Sequence, residues 1–438
     1  MEQDASHLKR SLRLWDLIFY GIIVIQPTAP MPVFGVVSQE ARGHVVTAVL
    51  AAMVAMLLTA ISYGRMARCY PSAGSAYAYV RGEFGVFAGF LTGWGIVLDY
   101  LLNPLICTIW CSKAAANLLP IPYPLWALFF ALLFTLLNLR GVEASARTNR
   151  WLAILMGAVV AGMLVVMARY LLHLTPLAPN FLIAPFYNPD TFSWKAVSTG
   201  TAIATLTYIG FDSISTLSEE AIDPERNVLR ATVLVCLFTG LIAAIEVYAG
   251  QLVWPDFRHY PDVDTAYSFV AGRAGGRWLF HLVNDTLLVA TIGSGVGSQL
   301  GAARLLYGMG RDNALPRRFF GHIDARTKVP SYNVLFSGVI ALVGALLITY
   351  QLGAELLNFG AFLAFTGVNA AAFSHYFAKG KDRGWSYAVL PLAGCAVCLY
   401  IWWSLRWQAR LVGATWLILG ATYALTRRQA LTNTIQQE

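Results

Sequence analysis

Charge is sparse in this chain: only 12% of its 438 residues are Asp, Glu, Lys or Arg, about half the share of a soluble domain. So little charge cannot keep the surface of a water-soluble globule polar, and that class is excluded. Cysteine is equally scarce, with six residues at 69, 107, 111, 236, 395 and 398, all in or beside apolar stretches. Cys395 and Cys398 form a CxxC that has no second ligand pair, so neither a disulfide nor a metal site is expected. Also lacking are HExxH, GxSxG and paired metal-ligand motifs, which argues against a membrane-embedded enzyme. No sizeable soluble output domain and no repeated pore loop occur, which disfavours a sensor or a channel. The polar start, Met1 to Arg13, lacks a short apolar core ending in a small-residue cleavage site. The first hydrophobic segment is therefore expected to direct insertion itself.

What the chain has in plenty is apolar sequence: 57% of residues are hydrophobic and mean hydropathy is +0.58, as in a polytopic membrane protein. Runs long enough to span a bilayer are expected at 15–38, 46–67, 85–112, 122–139, 150–172, 197–220, 230–253, 280–307, 332–350, 354–377, 385–405 and 410–427, twelve in all. Most Lys and Arg fall in alternate connections, among them Arg65, Arg68 and Arg81, then Arg140, Arg147 and Arg150, then Arg311, Arg317, Arg318, Arg326 and Lys328. By the positive-inside rule these connections and both termini are cytoplasmic, as in a bacterial inner membrane. The net charge of +8 then reflects loops beside anionic lipid, not nucleic acid. Nothing in the pattern specifies an oligomer.

Two spans are interrupted. The first is broken by Gln26-Pro27-Thr28-Ala29-Pro30-Met31-Pro32, where three prolines remove backbone donors and crowd the preceding turn. The sixth is broken at Gly210-Phe211-Asp212. Irregular backbone at membrane depth survives only where protein or a water-filled cavity surrounds it. Interrupted helices in matching places of two halves point to a secondary transporter whose cargo sits between them. The expected organisation is one transmembrane domain over 1–438: repeat A at about 13–172, repeat B of opposite topology at about 194–377, and two extra helices at about 385–427. Gly85, Gly89 and Gly93, and again Gly293, Gly297 and Gly301, are expected to let helices pack closely.

The runs Ala60-Ile61-Ser62-Tyr63-Gly64, Pro71-Ser72-Ala73-Gly74-Ser75-Ala76-Tyr77, Gly210-Phe211-Asp212 with Thr216-Leu217-Ser218-Glu219-Glu220, and Arg304-Leu305-Leu306-Tyr307-Gly308-Met309-Gly310-Arg311-Asp312 resemble the amino acid, polyamine and organocation (APC) transporter superfamily over nearly the whole chain. Leu98-Asp99-Tyr100, Asn358-Phe359-Gly360-Ala361 and Val368-Asn369 look most like bacterial putrescine importers. The resemblance implies an all-α inverted-repeat fold of five plus five helices plus two, with helices 1 and 6 unwound at mid-membrane. It also implies cation-coupled uptake, and substrate recognition by Tyr100.

A carboxylate substrate is held by free N–H groups in the first break of an ordinary permease of that superfamily. Pro27, Pro30 and Pro32 remove three of these donors, which favours a positively charged cargo, although Thr28, Ala29 and Met31 retain theirs and are expected among the substrate-binding residues. Acids at membrane depth cost roughly 2.5–3.5 kcal/mol each, so Asp99, Asp212, Glu246 and Asp285 require an ammonium, a proton or water. Asp99 is expected to bind an amine end with the Tyr100 ring as a cation–π face. Tyr208, Phe211 and Asp212 are expected on the other side, Asp212 also being suited to cap a half-helix. Trp94 and Phe362 are candidate apolar walls, while Pro27, Pro30, Pro32 and Gly210 form the hinge. Glu219 and Glu220 read as a solvated gate, and Glu246 and Asp285 as proton-coupling candidates. Ser294 and Ser298 are the weaker case for sodium; no cofactor is expected. The reading is a proton-coupled importer of putrescine or a similar small amine, with a neutral amino-acid or amino-acid-derivative permease of the same fold as the alternative.

Overall fold

A computed structural model describes residues 10–70, 75–141, 146–174, 180–218, 220–311, 315–327, 329–380 and 384–426. Among them the chain is almost wholly helical, and the β contact is a lone bridge between Leu12 and Ala221. In chain order the helices are α1 (Leu14–Ile25), α2 (Phe34–Glu40), α3 (Val45–Cys69), α4 (Ser75–Phe84), α5 (Val86–Ala116), α6 (Tyr123–Leu139), α7 (Ala146–Leu172), α8 (Trp194–Ala204), α9 (Pro224–Val253), α10 (Ala266–Arg311), α11 (Arg317–Phe320), α12 (Ser331–Leu347), α13 (Tyr350–Phe373), α14 (Trp385–Ser404) and α15 (Trp407–Thr426). Seven of them are long and apolar enough to cross a membrane, and α1, α6 and α12 are shorter apolar helices.

Regular α-helix stops between α1 and α2 and again after α8. The α1 ladder ends where Gln26 takes φ +70°, and tight turns carry the chain to α2. The N–H groups of Ala29 and Met31 close those turns on the carbonyls of Gln26 and Thr28, at 3.2 and 3.1 Å. The second interruption runs from the 3₁₀ turn Thr205–Thr207 through Gly210, at φ +119°, into the 3₁₀ segment Phe211–Leu217. A side-chain carbon added at Gly210 would lie 2.9 Å from Val24 Cγ1. Glycine is thus required twice over, for its conformation and for the close approach of the two breaks.

Two groups of three helices frame the breaks. In the first, α9 lies along α3 and α1; in the second, α5 lies along α13 and α10. The α5–α13 crossing is closest where Gly95 faces Gly360, small residues letting the backbones meet. The two glycine rows differ in what they meet. Gly85, at φ +86°, turns the chain so that α4 folds back on α5, with Arg81 against Gly89 and Tyr77 against Gly93. Gly293 and Gly297 open onto free space, with no atom within 4 Å of where a side chain would begin.

Candidate functional site

The carboxyl group of Asp212 sits on the second break and is bonded by backbone N–H groups of its own turn, including Gly210 N–H at 3.3 Å. Hydroxyls support this turn: Ser213 donates to Gly210 O at 2.5 Å, Ser215 to Asp212 O at 2.6 Å and Thr216 to Ser213 O at 2.6 Å. Each satisfies a carbonyl that a regular helix would use, so the strand of 3₁₀ is held without an α-helical ladder. Asp212 therefore caps its break, and its turn also leaves the group half-buried rather than sealed.

Asp99 comes from the middle of α5, on the seam with α13, and falls within electrostatic range of Asp212. Tyr63, Tyr79, Tyr100 and Tyr20 lie within that range of Asp212 as well. Tyr100 is 37% exposed although α5 is packed on several sides, so its ring borders an open space. On α10, Gly301 faces the Tyr100 ring and Ala290 O accepts from Gln26 Nε2 at 3.4 Å. Gly293 and Gly297 lie on the same helical face between those contacts. This open face of α10 thus looks onto the region between the first break and α5. Among the described residues neither Asp99 nor Asp212 takes part in an ion pair. Two carboxyl groups within electrostatic range of one another can accept from ammonium groups, and the partly exposed Tyr100 ring offers such a group a face.

A family model described as "Amino acid permease" matches residues 17–416. The chain belongs to the amino acid permease family, within the APC superfamily. It is 32% identical to the low-affinity putrescine importer PlaP of Escherichia coli K12, over 98% of this chain and 96% of that protein. It is 26% identical to the branched-chain amino acid permease BcaP of Lactococcus lactis (95% and 94% covered). It is 25% identical to the methylthioribose transporter of Bacillus subtilis (99% and 96%). The permease is thus a multi-pass membrane transporter and not an enzyme.

Other expected site residues of the permease lie elsewhere. Tyr208 is fully buried with its hydroxyl donating to Val49 O at 2.8 Å, which directs it into the α3 packing; a turn through left-handed Gly210, not an α-helical turn, separates it from Asp212. Trp94 stacks on Trp416 at 4.4 Å, and each indole N–H donates to the other's carbonyl, so it joins α5 to α15 and is no wall of the open space. Phe211 is buried among Tyr63 and Phe365, both at 5.5 Å. Phe362 packs on Phe365 and borders an apolar cavity of about 280 Å³ between α4, α5, α13 and α14. Ala29 and Met31 spend their N–H groups within the first break, leaving Thr28 as the residue of that stretch whose N–H meets no backbone acceptor. Asp285 is exposed on the face of α10 that carries Trp278 and Val289; it is not a buried acid. Glu246 is 0% exposed and, among the described residues, neither carboxyl oxygen has a hydrogen-bond partner. Ser294 pairs with Cys107 and Ser298 with Gly295 O. Glu219 lies outside the described residues, and Glu220 O accepts from Ser11 and Leu12 N–H.

Sequence reasoning passed over Tyr20, Tyr63, Tyr79 and Glu355. The last is buried in α13 and bonded by Arg406 Nε at 2.7 Å, with Gln351 bridging to Glu40 at 2.6 Å. Asn358, on the same helix, donates to Ala202 O at 2.6 Å. These contacts tie α2, α8 and α13 together at the end of the bundle opposite the basic loops. A buried acid in a span was the available signal for Glu355, and it went unread because residue 355 falls at the edge of the expected segment.

Proposed function

We propose that this permease is a secondary transporter that moves putrescine or a similar small amine into the cell across the inner membrane by alternating access, driven by protons. Twelve spans, of which the first is α1 with α2 and the sixth α8 with the 3₁₀ segment, would leave both termini cytoplasmic. Helices α1 to α7 and α8 to α13 would be the inverted repeats, with α14 and α15 outside them. The observation that carries the reading is that Asp99 and Asp212 lie within electrostatic range of one another and that, among the described residues, neither takes part in an ion pair. An ammonium at each end of a short diamine supplies the missing charge, and Tyr100 offers it a ring face. The first break fits this cargo: three prolines and two self-satisfied N–H groups leave little to hold a carboxylate. The Glu40–Gln351–Glu355–Arg406 chain would close the outer end in this conformation. The relative named as a putrescine importer agrees with this cargo.

Labelled putrescine uptake into proteoliposomes under an inward proton gradient tests the reading. Wild-type uptake should be blocked by unlabelled diamine and untouched by alanine, and Asp99→Asn and Asp212→Asn should each abolish it at normal expression. The second reading, a neutral amino-acid permease, is favoured by the unused Thr28 N–H and by the relative named as a branched-chain amino acid permease. Competition by a neutral amino acid, together with uptake that survives Asp99→Asn, would establish that reading instead.

A further inference from the structure

We infer that Glu246 is the residue at which the permease takes up and releases its proton, through the flank of the first break. The inference rests on the proton-driven reading above and adds a site to it. Val235 and Glu246 are about three turns apart on α9 and so share a face, with Gly250 close by on the same stripe. Val235 touches α1, where a carbon added at Gly21 would lie 2.9 Å from it, and a carbon added at Gly250 would lie 3.1 Å from Phe34 at the start of α2. Glu246 is therefore carried on the stripe that runs from the end of α1 to the start of α2, alongside the break between them.

At that position the side chain is 0% exposed and, among the described residues, both oxygens lack a donor. Among the described residues the titratable group within electrostatic range is Tyr267 of α10, whose hydroxyl donates at 2.8 Å to the main-chain carbonyl of Glu246 and not to its carboxyl group. A bare carboxylate there has nothing to stand against, so this packing holds the neutral acid. Among the described residues the carbonyls of Pro27 and Ala29 in the break accept no backbone bond, and in this conformation Glu246 bonds neither of them. A carboxylic acid can donate to such a carbonyl and a carboxylate cannot. Loss of the proton to water leaves an uncompensated charge beside the break, and the arrangement that lets water reach that charge is favoured. The O–H bond that breaks on one side of the membrane re-forms from water on the other, so one proton crosses per cycle.

Glu246→Gln keeps the shape and the donor but cannot ionise. In proteoliposomes it should lose accumulation of labelled putrescine driven by a pH gradient, falling to the level without a gradient, while exchange of internal for external putrescine continues. Gradient-driven accumulation at the wild-type level would overturn the inference. So would loss of exchange in a variant whose melting temperature matches wild type, since Glu246 would then serve binding. Glu246→Asp, still ionisable, should keep part of the gradient response; if it behaves as Gln does, the inference fails. Absence of putrescine transport by the wild-type protein would count against the proposed cargo instead, and gradient-driven accumulation of whichever amine or amino acid it does carry would then test Glu246.

Discussion

The two breaks face one another but are made differently. Between Ile25 and Phe34 the chain is bent by Pro27, Pro30 and Pro32, whose rings fix φ and supply no donor; the turns that remain are closed by short-range backbone bonds. Between Ala204 and Ser218 there is no proline. The bend there comes from Gly210 at φ +119° and from hydroxyls of Thr205, Ser213, Ser215, Thr216 and Ser218, each donating to the carbonyl three residues back. A hydroxyl can release its carbonyl to an α-helical N–H and recapture it later. A proline ring cannot. The first break is a fixed elbow and the second an exchangeable one, so a change of pitch belongs to the segment that carries Asp212.

The severest way to test that difference is to remove the exchangeable bend. Gly210→Val places a β-branched residue in the left-handed region and drives its side chain into Val24, at a cost on the order of 3 kcal/mol. Uptake should vanish and the melting temperature should fall, with Gly210→Ala moving both in the same direction by less. Retention of both by the valine variant would mean that the second break does not depend on this geometry.

The fixed elbow is tested by giving it back its donors. Replacing Pro27, Pro30 and Pro32 together by alanine restores three N–H groups and permits α1 to run on towards α2. Diamine uptake should fall by about tenfold, equivalent to about 1.4 kcal/mol, while inhibition by alanine or leucine should appear. If putrescine uptake is unchanged and no amino acid competes, the prolines do not select against carboxylates.

Much of this contrast was legible in the sequence. Three closely spaced prolines and Gly210 mark the two interruptions, whereas the single prolines Pro104 and Pro391 lie inside α5 and α14 without ending them. The membrane-protein class followed from composition. Side-chain direction did not. Whether Trp94 turns towards the open space or towards Trp416, and whether Tyr208 faces Asp212 or Val49, depends on helix rotation and on a 3₁₀ turn that shifts the phase by tens of degrees. Asp285 shows the same limit: its exposure is set by a helix face that period alone could not orient. Tyr20, Tyr63 and Tyr79 come from three separate helices, and only their packing brings them to Asp212.

A smaller effect separates the hydroxyls from the rest of the second break. Ser215 donates to Asp212 O and meets Ser75 of α4 at 2.7 Å. Ser215→Ala should remove about 1 kcal/mol of support, altering the maximal uptake rate by about fivefold with little change in the substrate concentration for half-maximal uptake. A shift in that concentration alone would place Ser215 in binding rather than in the bend.

The smallest effect concerns what anchors α4, and hence Ser75, beneath that bend. Glu83 accepts from Tyr70 at 3.0 Å, His375 at 2.7 Å and Lys379 at 2.9 Å. Burial pushes its carboxyl pKa up, but the bonds from Lys379, His375 and Tyr70 outweigh this and hold it below the usual value. A lowered folded-state value means that the contribution to stability is complete above the unfolded pKa, about 4.3, and is lost as pH falls through the lower folded value. Lys379 and His375 are partly exposed, so solvent screening limits the contribution to no more than about 1 kcal/mol. Melting temperatures of wild type and Glu83→Gln should therefore differ slightly at pH 6 and converge as the pH is lowered through about 4. A gap that widens on acidification would reverse the sign of the linkage and remove Glu83 as the anchor, leaving Ser75 to be held by the α4–α5 packing at Gly89 and Gly93 alone.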